Sequence, residues 1–189
     1  METVCEMNGP KRYTLCVLSE NSPGVLQRIT SAFTRRSINI ESLTVSETEK
    51  RGVSRLTVVF MAEAGQVERL LEPVRRMVEV VDAAVHEDGD LLFKEIAFLR
   101  VGFASQDELE LLKRRAAELD ARCVLVNGRS VVLEKTGTEE EIDLFKRSYR
   151  THRILAFIRS GRIAIDKYKE DLSAAEAQRA EPPESALPA

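Results

Sequence analysis

Tryptophan is absent from this sequence, and aromatic residues make up only 5% of its 189 residues. Positive charge is not in excess either, because 31 acidic residues outnumber 28 Lys and Arg residues and leave a net charge of -3. Proteins that bind nucleic acid present a basic face to the phosphates and often aromatic side chains to the bases. The composition therefore argues against nucleic acid as a partner.

Cysteine and histidine are also scarce. The three cysteines, Cys5, Cys16 and Cys123, are odd in number and share no C-x-x-C spacing. The sequence therefore predicts neither a disulfide framework nor a zinc site, and we expect reduced thiols. His86 and His152 lie far apart without companions in a metal-ligand pattern, so we assign no metal-binding and no catalytic residues.

Long apolar runs are missing as well. No stretch approaches the roughly 18 consecutive apolar residues that a membrane-spanning helix needs. The first residues, METVCEMNGPKR, are too polar and too acidic for a secretory or transit peptide. We therefore expect a cytoplasmic protein without a membrane partner. No G-x-G-x-x-G, P-loop or nucleophile elbow is present, so the sequence offers little support for catalysis by this chain.

What the sequence does contain is an alternation of strand and helix periods. Residues 12–20 are rich in β-formers, and a pattern with the spacing of one helix face follows them. Two alternating segments joined by TEKRG, 38–47 and 52–62, predict a β-hairpin. A helical pattern and a further strand complete a βαββαβ order, over 65–77 and 78–88.

The second half repeats that order around Asn127-Gly128, which is among the strongest two-residue hairpin signals. Its last strand is expected to run without interruption over 153–166. We therefore predict an α+β fold of two ferredoxin-like βαββαβ domains in tandem. The Ala, Glu, Pro and Ser content of the C-terminus predicts disorder. The expected boundaries are a flexible N-terminus over 1–11, a first domain over 12–86, a linker over 87–93, a second domain over 94–168 and a disordered tail over 169–189.

The turn between the first strand and the first helix has the sequence ENSPGV. Pro23 suits the first helical position, because the first N–H groups of a helix have no intrahelical partner, and Ser22 can cap the helix. Gly24 and Val25 would then present N–H groups to an anionic group of a ligand, with no side chain on Gly24 to shield them. Spacing alone leaves a second interpretation open, because Asn, Ser, Pro and Gly are also ordinary turn formers.

Three motifs in the first half carry a more specific signal: EN-S-x-G-x-L-x-R, R-R-x-x-N-I-E-S-L-T-V and S-R-L-T. They resemble the regulatory small subunit of acetolactate synthase (acetohydroxyacid synthase), the enzyme that opens branched-chain amino-acid biosynthesis. KEIAFLRV and IRSGRIAI resemble the later strands of that family, so the resemblance covers roughly residues 12–167. It implies that the N-terminal domain is an ACT domain, a ferredoxin-like amino-acid sensor, and that the second domain has a related fold.

The resemblance also implies an effector site at the interface of an ACT homodimer. In such dimers the second strand is a sheet edge, and two edges pair across a twofold axis. Valine or another branched-chain amino acid would then lie between the first loop of one protomer and the second strand of the other. Ser37 stands where the family usually has Gly, at a position that requires a helix-ending conformation. The implied site residues are Asn21, Gly24, Val25, Leu26, Asn39 and Ile40.

The implied function is that of a noncatalytic regulatory subunit. It would bind the catalytic large subunit, raise its activity and confer feedback inhibition in isoleucine, valine and leucine biosynthesis. Thiamine diphosphate, magnesium and FAD are expected on the catalytic subunit only, with no cofactor on this chain. Two alternatives stay open. One is a free-standing ACT-domain protein that binds an amino acid and controls another enzyme or a transcription factor, and the other is a small metabolic enzyme.

Overall fold

The computed structural model describes residues 9–168, which form two compact units. Within the described residues, the first unit contains residues 9–92 together with 165–168, and the second is Phe93–Ala164. Strands and helices follow a βαββαβ order twice in tandem, which confirms the predicted α+β class. The predicted tail, 169–189, and residues 1–8 of the predicted N-terminal segment lie outside the described residues.

Six elements build the first unit. They are β1 (Lys11–Glu20), α1 (Val25–Thr34), β2 (Ile40–Glu47), β3 (Val53–Ala62), α2 (Ala64–Arg75) and β4 (Val80–His86). The strands form an antiparallel sheet in the order β2-β3-β1-β4, so β2 lies at an edge as predicted. Pairing of β1 with β3 runs from Lys11 opposite Ala62 to Glu20 opposite Val53.

The core of the first unit fixes the position of the loop between β1 and α1. Alternate residues of β1, Leu15 and Val17, are fully buried, and α1 buries Ile29 and Phe33 at helical spacing. The Phe33 ring meets Phe60 of β3 edge-on, with 5.3 Å between the ring centroids. Both elements that flank the loop are therefore anchored in the same core.

The second unit follows after a short 3-10 turn, Asp88–Asp90. Its elements are β5 (Leu91–Gly102), α3 (Gln106–Glu118), β6 (Arg122–Asn127), β7 (Ser130–Gly137), α4 (Glu139–Ser148), β8 (Arg153–Arg159) and β9 (Ile163–Asp166). The first two residues of β5 and the last two of β9 fall in the first unit. The sheet order is β6-β7-β5-β8, and β9 also pairs with β5. The predicted hairpin turn joins β6 to β7, where Gly128 has a φ of 58°.

A buried tyrosine ties the two helices of this unit together. Tyr149, immediately after α4, is fully buried, and its hydroxyl donates to the Leu112 carbonyl of α3 at 3.1 Å. Removal from water disfavours the charged phenolate, and burial therefore raises the pKa of Tyr149 to about 12. The hydroxyl stays a neutral donor throughout the physiological pH range.

The end of the second unit differs from the prediction. Residues 153–166 form two strands, β8 and β9, instead of one uninterrupted strand. Arg162, in the break between them, is only 1% exposed. Its guanidinium lies 3.8 Å from the centroid of the Phe93 ring, and its Nε lies 3.9 Å from Oε1 of the buried Glu95. The pattern of apolar residues did not reveal the break between β8 and β9, because the break contains a charged residue that is buried by its contacts with Phe93 and Glu95.

The strand ends and the predicted domain boundaries do not coincide residue by residue. Lys11, assigned to the N-terminal segment, is the first residue of β1. Leu91, assigned to the linker, begins β5. Residues 165–168 belong to the first compact unit, although the predicted second domain extends to residue 168.

Candidate functional site

The turn that leads from β1 into α1 holds Gly24 in the left-handed conformation, with φ at 88°. An L-residue adopts this conformation at a cost of roughly 1–2 kcal/mol, because its Cβ crowds a neighbouring carbonyl, whereas glycine has no Cβ. Because α1 begins at Val25, the prediction that Pro23 is the first helical residue is wrong. The predicted Ser22 side-chain cap is also wrong: among the described residues no side chain caps this helix.

The left-handed turn changes which N–H groups a ligand can reach. The N–H of Val25 donates to the backbone oxygen of Ser22 at 3.4 Å, so it is not the free donor that the sequence suggested. Within residues 9–168, the N–H groups of Gly24, Leu26 and Gln27 have no backbone acceptor, as is usual in a first helical turn. Three N–H groups at the positive end of α1 can therefore approach an anion.

A guanidinium group lies beside these donors. A Cβ placed on Gly24 would have Nη1 of Arg28 at 3.7 Å and, among the described residues other than its two chain neighbours, no further group within 4 Å. Nη2 of Arg28 lies 2.5 Å from Oε1 of Glu79, which restrains the side chain. Sequence reasoning missed Arg28, although it closes the motif EN-S-x-G-x-L-x-R and follows Gly24 by one helical turn. Free N–H groups next to an arginine suit a carboxylate.

Asn21 ties the Gly24 loop to the turn between β2 and β3. Its N–H donates to the Gly52 oxygen at 2.8 Å, and its side chain is exposed. Of the two apolar residues assigned to the site, Val25 is 4% exposed and packs in the core, whereas Leu26 is 41% exposed. Leu26 is therefore available to contact the side chain of a ligand, and Val25 is not.

Asn39 and Ile40 belong to a different part of the first unit. Just before them, Ser37 has a φ of 54°, which is the helix-ending conformation predicted where the family usually has Gly. Asn39 is exposed, and Ile40 is half-buried at the start of β2. β2 has a register irregularity between Ile40 and Ser42, so Glu41 interrupts the regular pairing with β3.

The register of the sheet places the two halves of the predicted site at opposite ends. Ile40 pairs with Phe60, which pairs with Tyr13 near the start of β1, whereas the Gly24 loop follows Glu20 at its end. Tyr13 and Glu20 lie seven positions apart along β1, which corresponds to a distance of about 23 Å. The fold of one chain therefore brings Asn21 close to Gly24 but leaves both far from Asn39.

Comparison with known proteins agrees with this architecture. The family model described as "AHAS small subunit-like ACT domain" matches residues 15–82, and the one described as "Small subunit of acetolactate synthase" matches residues 94–168. The acetolactate synthase small subunit of Mycolicibacterium smegmatis is 30% identical over 169 residues, which cover 89% of this chain and 98% of that protein. This chain belongs to the acetolactate synthase small-subunit family. The small subunit of Mycobacterium avium is 32% identical over 139 residues, or 73% of this chain and 82% of that protein.

A solved structure supports the fold of the small-subunit chain. The crystal structure of the acetolactate synthase small subunit from Thermotoga maritima has a TM-score of 0.74 and 23% sequence identity. The match covers 85% of this chain and 99% of that one. Both halves of the chain thus share their architecture with that family member, and the matched family domains are small-subunit domains, not catalytic ones.

The described part of this small-subunit chain offers no metal-binding cluster. Across residues 9–168, no group of three or more His, Cys, Asp or Glu side chains is placed to hold a metal ion. No helix in the same range is both long and apolar enough to cross a membrane.

Proposed function

We propose that this chain is the regulatory subunit of an acetolactate synthase. It binds the catalytic large subunit, raises its activity and confers feedback inhibition by a branched-chain amino acid, with valine as the first candidate. The complex acts in the cytoplasm, and its thiamine diphosphate, magnesium and FAD reside on the catalytic subunit. The observation that carries the proposal is the match of both halves of the chain to small-subunit family models. Within one chain Gly24 and Asn39 are separated by about the length of the sheet, so an effector site made of both requires a dimer.

A twofold axis beside β2 would complete the site. As an edge strand, β2 has backbone groups available to pair with a second copy. Antiparallel pairing of two β2 strands puts the start of one strand next to the end of the other. Because Asn21 is bonded to Gly52 in the turn after β2, the Gly24 loop of one protomer would then lie near Asn39 of the other. We therefore propose a homodimer with two equivalent effector sites.

The chemistry of the two halves suits an α-amino acid. The carboxylate would meet the free N–H groups of the Gly24 turn and Arg28, and the ammonium would meet the Asn39 side chain and nearby backbone oxygens. Leu26 and Ile40 would contact the aliphatic side chain. A carboxylate at a helix N-terminus contributes roughly 0.3–1 kcal/mol, burial of a Val-sized side chain about 1.5–3, and each hydrogen bond about 1.

These contributions predict a sensor that responds to a changing metabolite pool. With two to four hydrogen bonds the sum is about 4–8 kcal/mol, which corresponds to affinities between millimolar and micromolar. Inhibition would follow if the amino acid binds one assembly state of the complex more tightly than another.

Reconstitution tests the proposal. The purified chain alone is expected to form no acetolactate from pyruvate, and its addition to the cognate catalytic subunit is expected to raise the rate and make it sensitive to valine. Acetolactate formation by the isolated chain would contradict the proposal. Stable copurification with a different enzyme or a transcription factor, without any effect on the catalytic subunit, would favour a free-standing amino-acid-binding regulator.

A further inference from the structure

A cavity in the first unit is lined by more cationic than anionic side chains. It has a volume of about 710 Å³ and lies between the β2–β3 turn and the segment that joins α2 to β4. Its lining contains one carboxylate and four cationic side chains: Glu20, Lys50, Arg51, Arg75 and Arg76. Since the whole chain has a net charge of -3, this concentration of positive charge is local. The volume is typical of small-molecule sites, and the charge suits an anion.

Arg75 is restrained by a backbone contact, whereas Arg76, whose side chain is 81% exposed, forms a weak surface ion pair. Nε of Arg75 donates to the Ala83 carbonyl at 2.8 Å. Nη2 of Arg76 lies 3.4 Å from Oε2 of Glu72, one helical turn earlier. A guanidinium that is already held in place loses less conformational freedom when it binds a ligand. Its remaining N–H groups match the oxygen atoms of a phosphate.

Aliphatic side chains lie beside these cations. Met77, Val80 and Val81 line the cavity, and Val78 is 91% exposed. An aliphatic side chain that is so fully exposed gains from any ligand group that covers it. The cavity therefore offers both a charged and an apolar contact surface to a single small molecule.

We propose that this cavity is a second ligand site of the chain, for a small molecule that carries a phosphate group and an apolar portion. Four cations favour a dianionic phosphate over a single carboxylate. One wall of the cavity is bonded to the Gly24 loop, because the N–H of Asn21 donates to the oxygen of Gly52 at 2.8 Å. The N–H of the lining residue Glu20 donates, also at 2.8 Å, to the backbone oxygen of Glu79, whose side chain pairs with Arg28. Occupancy therefore alters amino-acid binding at that loop, a consequence that rests on the proposed function.

Calorimetric titration of the full chain with phenyl phosphate, inorganic phosphate and benzyl alcohol tests the binding site. Phenyl phosphate is expected to bind most tightly, because only this probe has both parts. The double substitution Arg51→Gln/Arg76→Gln is expected to weaken phenyl phosphate binding about tenfold or more. Val78→Ser is expected to weaken phenyl phosphate but not inorganic phosphate. The matched control, Arg114→Gln/Arg147→Gln, removes two exposed arginines from α3 and α4 and is expected to bind like the wild type.

Three results would overturn the site. These are the lack of saturable phenyl phosphate binding, wild-type affinity in a folded Arg51→Gln/Arg76→Gln protein, and equal weakening in the control, which indicates unspecific attraction. Circular dichroism and the melting temperature report folding. Valine is then titrated into the same samples with and without phenyl phosphate. We expect phenyl phosphate to change the affinity of the protein for valine about fivefold or more. Phenyl phosphate binding without valine binding would contradict the proposed function and leave the phosphate site intact.

Discussion

Replacing Gly24 by aspartate is expected to abolish feedback inhibition while the protein still folds and activates its partner. Any L-residue at this position must adopt the left-handed conformation, which costs roughly 1–2 kcal/mol. A carboxylate in the first helical turn offsets part of this cost by about 0.3–1 kcal/mol. Because a native domain is stable by about 5–15 kcal/mol, the folded state is expected to persist.

The loss of effector affinity has two physical causes. The new carboxylate would occupy the space that the effector carboxylate needs, and it would compete for Arg28, whose Nη1 lies 3.7 Å from the Cβ position. Repulsion between two carboxylates at roughly 4 Å costs about 1 kcal/mol in water and about 4 kcal/mol at an effective dielectric constant near 20. This range corresponds to a loss of affinity between several-fold and about a thousandfold.

Gly24→Ala is the matched control, because it introduces the same backbone strain without a charge. Valine, leucine and isoleucine would be titrated calorimetrically into the wild type and both variants, and inhibition would be measured on the reconstituted enzyme. We expect Gly24→Asp to lose much more effector affinity than Gly24→Ala. Unchanged effector binding in folded Gly24→Asp protein would refute the reasoning and would mean that the Pro23-Gly24 sequence is only a turn.

Three further substitutions test other parts of the account. Asn39→Ala is expected to weaken valine binding less than Gly24→Asp does, because it removes about one hydrogen bond and adds no charge. Calorimetry would measure both affinities, and an equal loss of valine affinity in the two variants would argue against a charge effect at Gly24. Tyr149→Phe is expected to lower the free energy of unfolding by about 1 kcal/mol, since Leu112 loses its donor. The raised pKa of Tyr149 means that wild-type stability declines as the pH rises above about 10, and urea unfolding of the variant is expected to lack that decline. A hydrogen bond from the Thr138 N–H, followed in size by one from Lys94, lowers the pKa of Glu141, so the ionised side chain stabilises the fold above the usual Glu pKa range and this stabilisation is lost as the pH falls. Glu141→Ala is therefore expected to lower the free energy of unfolding in urea by about 0.5–1 kcal/mol at neutral pH and by less in acid. An equal decrease at both pH values would contradict this.

Much of the fold could be predicted because local patterns and the final packing agree. The β-formers of β1, the Asn127-Gly128 turn and the acidic start of α4 all specify the local structure that the fold uses. Thr138 and Glu141 form a capping box there. The break between β8 and β9 could not be predicted, because Arg162 is buried through contacts with residues almost 70 positions earlier in sequence, Phe93 among them.

The candidate site was predictable only in part. The resemblance named Asn21, Gly24 and Asn39, but the conformation of Gly24 depends on how β1 and α1 are anchored in the core, which spacing does not encode. Arg28 was missed because a charged residue on an exposed helix face is usually solvated. The resemblance placed the two halves of the site on different protomers, and the register of β1, β2 and β3 accordingly separates them within one chain.

Complementation between two damaged chains tests most directly whether the effector site is shared between protomers. In a heterodimer of Gly24→Asp and Asn39→Ala chains, one shared site would carry both changes and the other would carry neither. We therefore predict that mixing equal amounts of the two variants, after subunit exchange, restores wild-type valine affinity at about a quarter of all sites. Each variant alone is expected to have no site with wild-type valine affinity. If the mixture binds valine no better than the two variants measured separately, although subunit exchange is complete, the site lies within one protomer and the account is contradicted.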